Sequence, residues 1–244
     1  ISYYENILGV KPKVALVNEM AYSAGIIEHY INSGYSSIIM EWNNPRSFNN
    51  DWKDDWLYYP QKATSSEHVS LPVIWADSIA FQKFQRYVHG EYELSDYIDY
   101  IKSHIGDSDR FFPLYSNDIE IFDFRPGRYK TEILNNEDEW GRIFKLYNYL
   151  QKQDWCEFVF PSQVVDEFDN NDSGNNLRLE TLQSPIPVKK QNKYNINRWA
   201  LTGTNDLKIN TECYRIYKNI KNSGIIDEND WKEICFLWSS DFRT

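Results

Sequence analysis

Lys13-Val-Ala-Leu-Val-Asn18 is a short, almost wholly apolar run, and Glu19-Met-Ala-Tyr22 follows it directly. A run of this kind is what a strand covered on both faces requires. A periodic stretch comes next, with Ile26, Ile27, Tyr30 and Ile31 on one side and Ser33-Gly34 as its stop. The order is strand, carboxylate, helix. Ser37-Ile-Ile-Met40 repeats the strand pattern and again ends on a carboxylate and a ring, Glu41-Trp42. Leu71-Pro-Val-Ile74 is a third short strand, ending on Trp75-Ala-Asp77. Asp77 or Ser78 can cap the helix that follows to Val88, which His89-Gly90 closes.

Further along, Ser95 reads as the cap of a helix over residues 97–105, and residues 110–115 read as a fourth strand. A helix over 137–150 turns Ile143, Leu146, Tyr147 and Leu150 inward, residues 157–160 form a fifth strand, and Pro161 opens a short helix to Phe168. Residues 43–68 break this rhythm with Asn, Asp and Trp, as an excursion over one rim. Residues 169–176 are rich in Asn, Asp and Gly, 177–198 have an extended character, and 210–220 and 228–238 carry helical apolar stripes. The expected division is a partial (β/α) barrel catalytic domain over 1–170, an extended linker over 171–206 and a C-terminal helical region over 207–244.

Short buried strands alternating with helices indicate an α/β chain with a parallel sheet, either a (β/α) barrel or a doubly wound sheet. A barrel is favoured because successive strands end on Glu19, Glu41-Trp42, Trp75 with Asp77, and Asp118, the end at which barrels gather chemistry. No glycine-rich phosphate loop follows any strand, which argues against nucleotide binding. A strand-end acid can also simply cap the next helix, and for Asp77 capping is the simpler role.

The 244 residues carry a net charge of −10, which opposes a nucleic-acid backbone or an anionic membrane surface as partner. Aromatic residues make up 16%, with nine Trp and eighteen Tyr. Such rings serve a carbohydrate cleft, where they stack on sugar faces, or plain core packing. Cys156, Cys213 and Cys235 are odd in number and widely spaced, so free thiols in a reducing, cytoplasmic compartment are expected rather than disulfides or a zinc ribbon. His29, His68, His89 and His104 are scattered without metal-ligand spacing, so neither metal nor cofactor is expected. No apolar run is long enough to span a membrane and no signal peptide opens the chain. It begins at Ile1 and stops at Thr244, and reads as a piece of a longer protein.

The densest chemistry lies in Leu114-Tyr-Ser-Asn-Asp-Ile-Glu-Ile-Phe-Asp-Phe-Arg-Pro-Gly-Arg128. Asp118, Glu120 and Asp123 fall within six positions, followed by Arg125 and Arg128 around a Pro-Gly turn. A solvated acidic loop with local ion pairs is the plain alternative. If the strands are parallel neighbours, Glu19 and Asp118 project from one rim. Two such carboxylates among Trp and Tyr suit glycosidic chemistry, one ionised and one protonated. An Arg beside one of them separates their pKa values.

Asn18-Glu-Met-Ala-Tyr22, Ile39-Met-Glu-Trp42, Tyr115-Ser-Asn-Asp-Ile-Glu-Ile-Phe-Asp-Phe-Arg-Pro-Gly-Arg128 and Leu237-Trp-Ser-Ser-Asp-Phe-Arg243 resemble glycoside hydrolase family 57. The resemblance implies an incomplete (β/α)7-type barrel followed by helices, and a retaining mechanism on α-linked oligo- or polysaccharide. It implies Glu19 as nucleophile and Asp118 as acid/base, with Glu120 behind them. Tyr22, Glu41, Trp42, Trp75, Asp77, Asp123, Arg125, Arg128, Trp199, Trp238 and Asp241 are the candidate substrate contacts. Helix packing for the Trp residues and capping for Asp241 are the alternatives. Two departures stand out: no His-x-His or His-Gln-Pro element of the family's first strand occurs, and Phe122-Asp-Phe-Arg-Pro-Gly-Arg128 replaces the usual Phe-Gly. Two other readings remain open: a carbohydrate-binding or scaffold relative without turnover, and a metal-dependent polysaccharide deacetylase, for which the four His offer no ligand set.

Overall fold

The structure, a computed structural model, describes residues 2–65, 68–116, 122, 138–171, 174–188, 203–224 and 227–239. The chain divides into two compact units, residues 1–189 and 190–244. The first is a mixed α/β unit around a five-stranded sheet. Its strands are β1 (Val14–Leu16), β2 (Ser37–Glu41), β3 (Gln61–Thr64), β4 (Ser70–Ala76) and β5 (Asn176–Leu177), in the order β1-β2-β4-β3-β5. β1 and β4 run parallel to β2 on either side, and β5 runs parallel to β3; only the β3–β4 pair is antiparallel.

The three strands read from their apolar runs are therefore neighbours, and their C-terminal ends share one rim. In register, Leu16 faces Ile39, and Glu41 faces Ala76. β2 is covered on both faces: Ile38 and Met40 are fully buried on one, and Ser37 and Glu41 are buried on the other. Ile38 and Met40 join Val17, Tyr22, Ile27, Val73, Trp75 and Leu179 in the sheet's core. α1 (Ser2–Leu8) precedes the sheet, α2 (Ile26–Asn32) links β1 to β2, and α3 (Asn43–Phe48) opens the excursion after β2.

A second core forms among helices α4 (Ser78–Val88), α5 (Leu94–Lys102) and α6 (Glu139–Leu150), with Phe84, Tyr97, Ile98, Leu146 and Leu150 at its centre. Arg142 ties α6 to α4: its Nε donates to the Tyr87 carbonyl at 2.8 Å, and the Tyr87 hydroxyl donates to the Arg142 carbonyl at 2.9 Å. His89 and Glu139 pair beside them, both buried.

The described strands form an open sheet, and two of the expected strands are absent from it. Residues 110–115 join no ladder: Pro113 has no N–H to give, and the neighbouring rings pack on helices instead. Phe111 N–H donates to the Tyr58 carbonyl at 3.1 Å, the Phe112 ring stacks on His104 at 4.1 Å, and Tyr115 lies 5.0 Å from Phe84. Residues 157–160 form no strand either. Phe158 and Phe160 are exposed, and the Phe160 N–H donates to the Gln163 side chain at 2.7 Å, so the segment caps α7 (Pro161–Asn171). The excursion supplies β3 in their place, as the hairpin partner of β4. Ser95 is not the cap of α5, which begins one residue after Glu93.

The second unit contains α8 (Asp206–Ser223) and α9 (Glu228–Leu237). Tyr217 meets the rings of Trp231 and Trp238, and Trp238 Nε1 donates to Asn210 Oδ1 at 2.8 Å. Among the described residues no helix is long and apolar enough to cross a membrane.

Candidate active site

Glu19 stands one short step beyond β1, in a 3-10 turn over Asn18–Met20. The turn bends backward through two successive left-handed residues, Glu19 (φ 53°) and Met20 (φ 52°). Each costs about 1–2 kcal/mol for an L-residue with a side chain. Three hydrogen bonds hold the bend: Met20 N–H to Val17 O at 2.9 Å, Ala21 N–H to Asn18 O at 3.0 Å and Tyr22 N–H to Pro187 O at 2.9 Å. Met20 and Tyr22 are buried on the far side. The bend therefore anchors two apolar side chains and leaves the Glu19 carboxylate exposed at the strand end.

One strand over, Glu41 closes β2 with only 3% of its surface exposed. Asn44 N–H donates to its Oε2 at 2.7 Å. Burial, with a smaller push from Asp77, lifts the carboxyl to about 7 against the hydrogen bonds from Asn44, Ser78 and Asn43. Asp77, at the end of β4, accepts from Ile79 N–H at 2.8 Å and so caps α4. Asn43 Oδ1 takes both the N–H and the hydroxyl of Ser78, at 2.8 and 2.7 Å. Ser184, wholly buried, donates its hydroxyl to Asn44 Oδ1 at 3.3 Å. Two buried carboxylates and four neutral polar residues thus knit the ends of β2 and β4 together.

A second group of polar rings lies within the field of Asp77. Tyr58 hydroxyl pairs with His104 Nδ1 at 2.8 Å, and the Arg110 guanidinium covers the Tyr58 ring at 4.4 Å. Burial lowers the His104 pKa and raises that of Tyr100, and Asp77 acts on both. Sequence reading assigned no site role to Asn43, Asn44, Ser184, Tyr58 or Arg110, and weighed Ser78 only as a helix cap and His104 only as a metal ligand. The Asn43-Asn44-Pro45 turn immediately after a strand end was the one local signal for the first two.

The other candidates separate clearly. Trp42 and Trp75 are 4% and 1% exposed and pack with Trp52 at 5.1–5.8 Å between ring centroids, so their faces are spent on one another. Tyr22 is fully buried, with burial and then Glu180 and Glu28 raising its pKa. Trp238 packs on α8. Asp118, Glu120, Asp123, Arg125, Arg128, Trp199 and Asp241 lie outside the described residues. Among the described residues no three or more His, Cys, Asp and Glu side chains are grouped to hold a metal ion.

A family model described as glycosyl hydrolase family 57 matches residues 1–174. Among solved structures, the 4-alpha-glucanotransferase from Thermococcus litoralis superposes with a TM-score of 0.59 at 15% identity, over 91% of this chain and 30% of that one. The alpha-amylase AmyC from Thermotoga maritima gives 0.42 at 12% identity, over 98% of this chain and 65% of that one. The chain thus spans under a third of the glucanotransferase's length and under two thirds of the amylase's. No curated protein sequence matches.

Proposed function

Because the chain belongs to glycosyl hydrolase family 57, we propose that it carries the catalytic machinery of a retaining enzyme that hydrolyses or transfers α-linked glycans. The observation that supports this most directly is the bend at Glu19, which spends backbone strain to leave one carboxylate open at the end of a parallel strand. In this reading the Glu19 carboxylate attacks the anomeric carbon while Asp118 gives its proton to the departing glycosidic oxygen. The glycosyl group is then held as an ester on Glu19. Asp118, now a carboxylate, takes a proton from water or from an acceptor sugar hydroxyl, which displaces Glu19 and restores the original configuration. The mechanism needs the two carboxyl groups about 5–5.5 Å apart.

In this reading Glu120, Asp123, Arg125 and Arg128 assist the acid/base, and Trp199 and Asp241 are candidate sugar contacts. The parallel run β1-β2-β4 supports an incomplete (β/α)7-type barrel as the parent architecture. The chemistry is tested on the full-length protein with aryl α-glycosides, α-glucans and an N-acetylated glycan, with and without chelator, beside Glu19→Gln and Asp118→Asn. Turnover with retention, abolished in Glu19→Gln, is expected. Full turnover in Glu19→Gln overturns the nucleophile. Binding without turnover in the parent protein, unchanged in both variants, replaces the enzyme with a carbohydrate-binding relative, and chelator-sensitive acetate release replaces it with a deacetylase.

A further inference from the structure

Two left-handed side-chain-bearing residues in succession persist only where the surroundings over-determine them. The turn's own hydrogen bonds are local, so the constraint has to come from what the turn is fastened to. It has two fastenings. One is the ladder from β1 to β2: Leu16 is in register with Ile39, Val17 N–H donates to Ile39 O at 3.1 Å, and continuing that register sets Asn18 opposite Glu41. The other is the Pro187 carbonyl, which takes the Tyr22 N–H. Pro187 lies three residues after Ser184, and Ser184 is bonded to Asn44, whose N–H is bonded to Glu41. Both routes converge on Glu41.

We infer that Glu41 is a positioning residue for the Glu19 turn, acting through the polar clasp it forms with Asn43, Asn44, Asp77, Ser78 and Ser184 rather than by touching substrate. Its burial and its place behind the rim suit this role. The side chains that face it are neutral except for Asp77 at the end of β4: Asn43 and Asn44 from α3, Ser78 from α4, and Ser184 through Asn44. No basic side chain pairs with Glu41 among the described residues. Among the described residues, a second negative charge inside this clasp is therefore opposed by Asp77 and balanced by no cation. The clasp is intact while Glu41 carries its proton and loosens as it ionises, near neutrality.

The inference rests on Glu19 as nucleophile for its consequence in catalysis, but not for its structural content. The test uses the full-length protein, Glu41→Gln, which keeps the shape and cannot ionise, and Ser184→Ala, which opens the clasp from its other end. Amide exchange at Met20, Ala21 and Tyr22 reads the turn without any substrate. In the parent protein, exchange at these amides is expected to gain about tenfold between about pH 6 and pH 8.5 beyond the base-catalysed rise common to other amides, and Glu41→Gln removes that excess. Ser184→Ala raises Tyr22 exchange across the range. The kcat of the parent falls over the same interval with KM little changed, and Glu41→Gln flattens the fall. Identical exchange excess in the parent and Glu41→Gln overturns the inference, as does Tyr22 exchange untouched by Ser184→Ala. Turnover surviving in Glu19→Gln removes the nucleophile reading alone and leaves the exchange result to decide this one.

Discussion

Replacing Glu19 by glycine should make the protein more stable. Glu19 is exposed, and its backbone sits at φ 53°, ψ 12°. An L-residue pays about 1–2 kcal/mol for that conformation, and glycine does not. Glycine adds freedom to the unfolded chain, which takes back about 0.4–1 kcal/mol. The net gain over alanine at the same position is about 0.5–1 kcal/mol. For a unit of this size that corresponds to roughly 1–4 °C in melting temperature. Glu19→Ala is the proper reference, because it removes the carboxylate and keeps the strain. Urea unfolding followed by tryptophan emission gives the comparison, provided the slope with denaturant stays constant. The proposed nucleophile would thus be a position where stability has been given up for presentation of a charge. Glu19→Gly no more stable than Glu19→Ala would refute the reasoning, since the backbone there would then not be left-handed.

Glu41 makes stability itself depend on pH. Its carboxyl is raised from 4.5 to about 7 on folding, so the folded state holds the proton more tightly than the unfolded one. The stabilisation is complete below about pH 4.5 and is lost as pH rises through about 7, with an upper bound of about 3 kcal/mol. Glu41→Gln should erase that slope and exceed the parent at about pH 8; urea midpoints that stay parallel between about pH 5 and pH 8 would contradict it. Trp75→Ala should cost about 3–5 kcal/mol, because it empties the centre of the Trp42–Trp52–Trp75 cluster, and a loss below about 1 kcal/mol in urea melts would show the rings to be dispensable packing. A methyl group at Gly106 would lie 2.1 Å from a terminal nitrogen of Arg110 and push the guanidinium off the Tyr58 ring. Gly106→Ala should cost about 1 kcal/mol in the parent and almost nothing in an Arg110→Ala background; equal losses in both would rule out that contact as the cause.

The parallel heart of the fold was legible because β1, β2 and β4 carry unbroken apolar runs, with β2 buried on both faces although Leu16 of β1 stays exposed. β3 was not, because Gln61-Lys-Ala-Thr64 alternates only in burial and holds no apolar run to betray a strand. The segments at 110–115 and 157–160 have strand composition, yet their rings are used against helices and solvent, a tertiary choice that local pattern does not encode. Asp77 followed the simpler of its two readings and caps a helix. Trp42 and Trp75 show the limit of composition: a ring suited to a sugar face is equally suited to another ring, and only placement separates the two. Glu41 was visible as a strand-end acid, but its burial beside Asp77 depends on the register between β2 and β4, which no single stretch states.

The two-residue strand β5 has a consequence for how the chain comes together. β1 to β4 are all drawn from residues 14–76, so their pairings close short loops, whereas β5 reaches β3 across a separation of 114 residues, fixed by Gln61 Oε1 accepting both N–H groups of Asn175 at 3.0 Å. Short loops close first and long ones last, so β5 joins a sheet that already exists and is the first strand to leave it. Its departure bares the outer backbone of β3, a free edge able to pair with another chain. Gln61 is therefore the latch against self-association during folding, and its loss should be felt as aggregation during refolding rather than as lost activity.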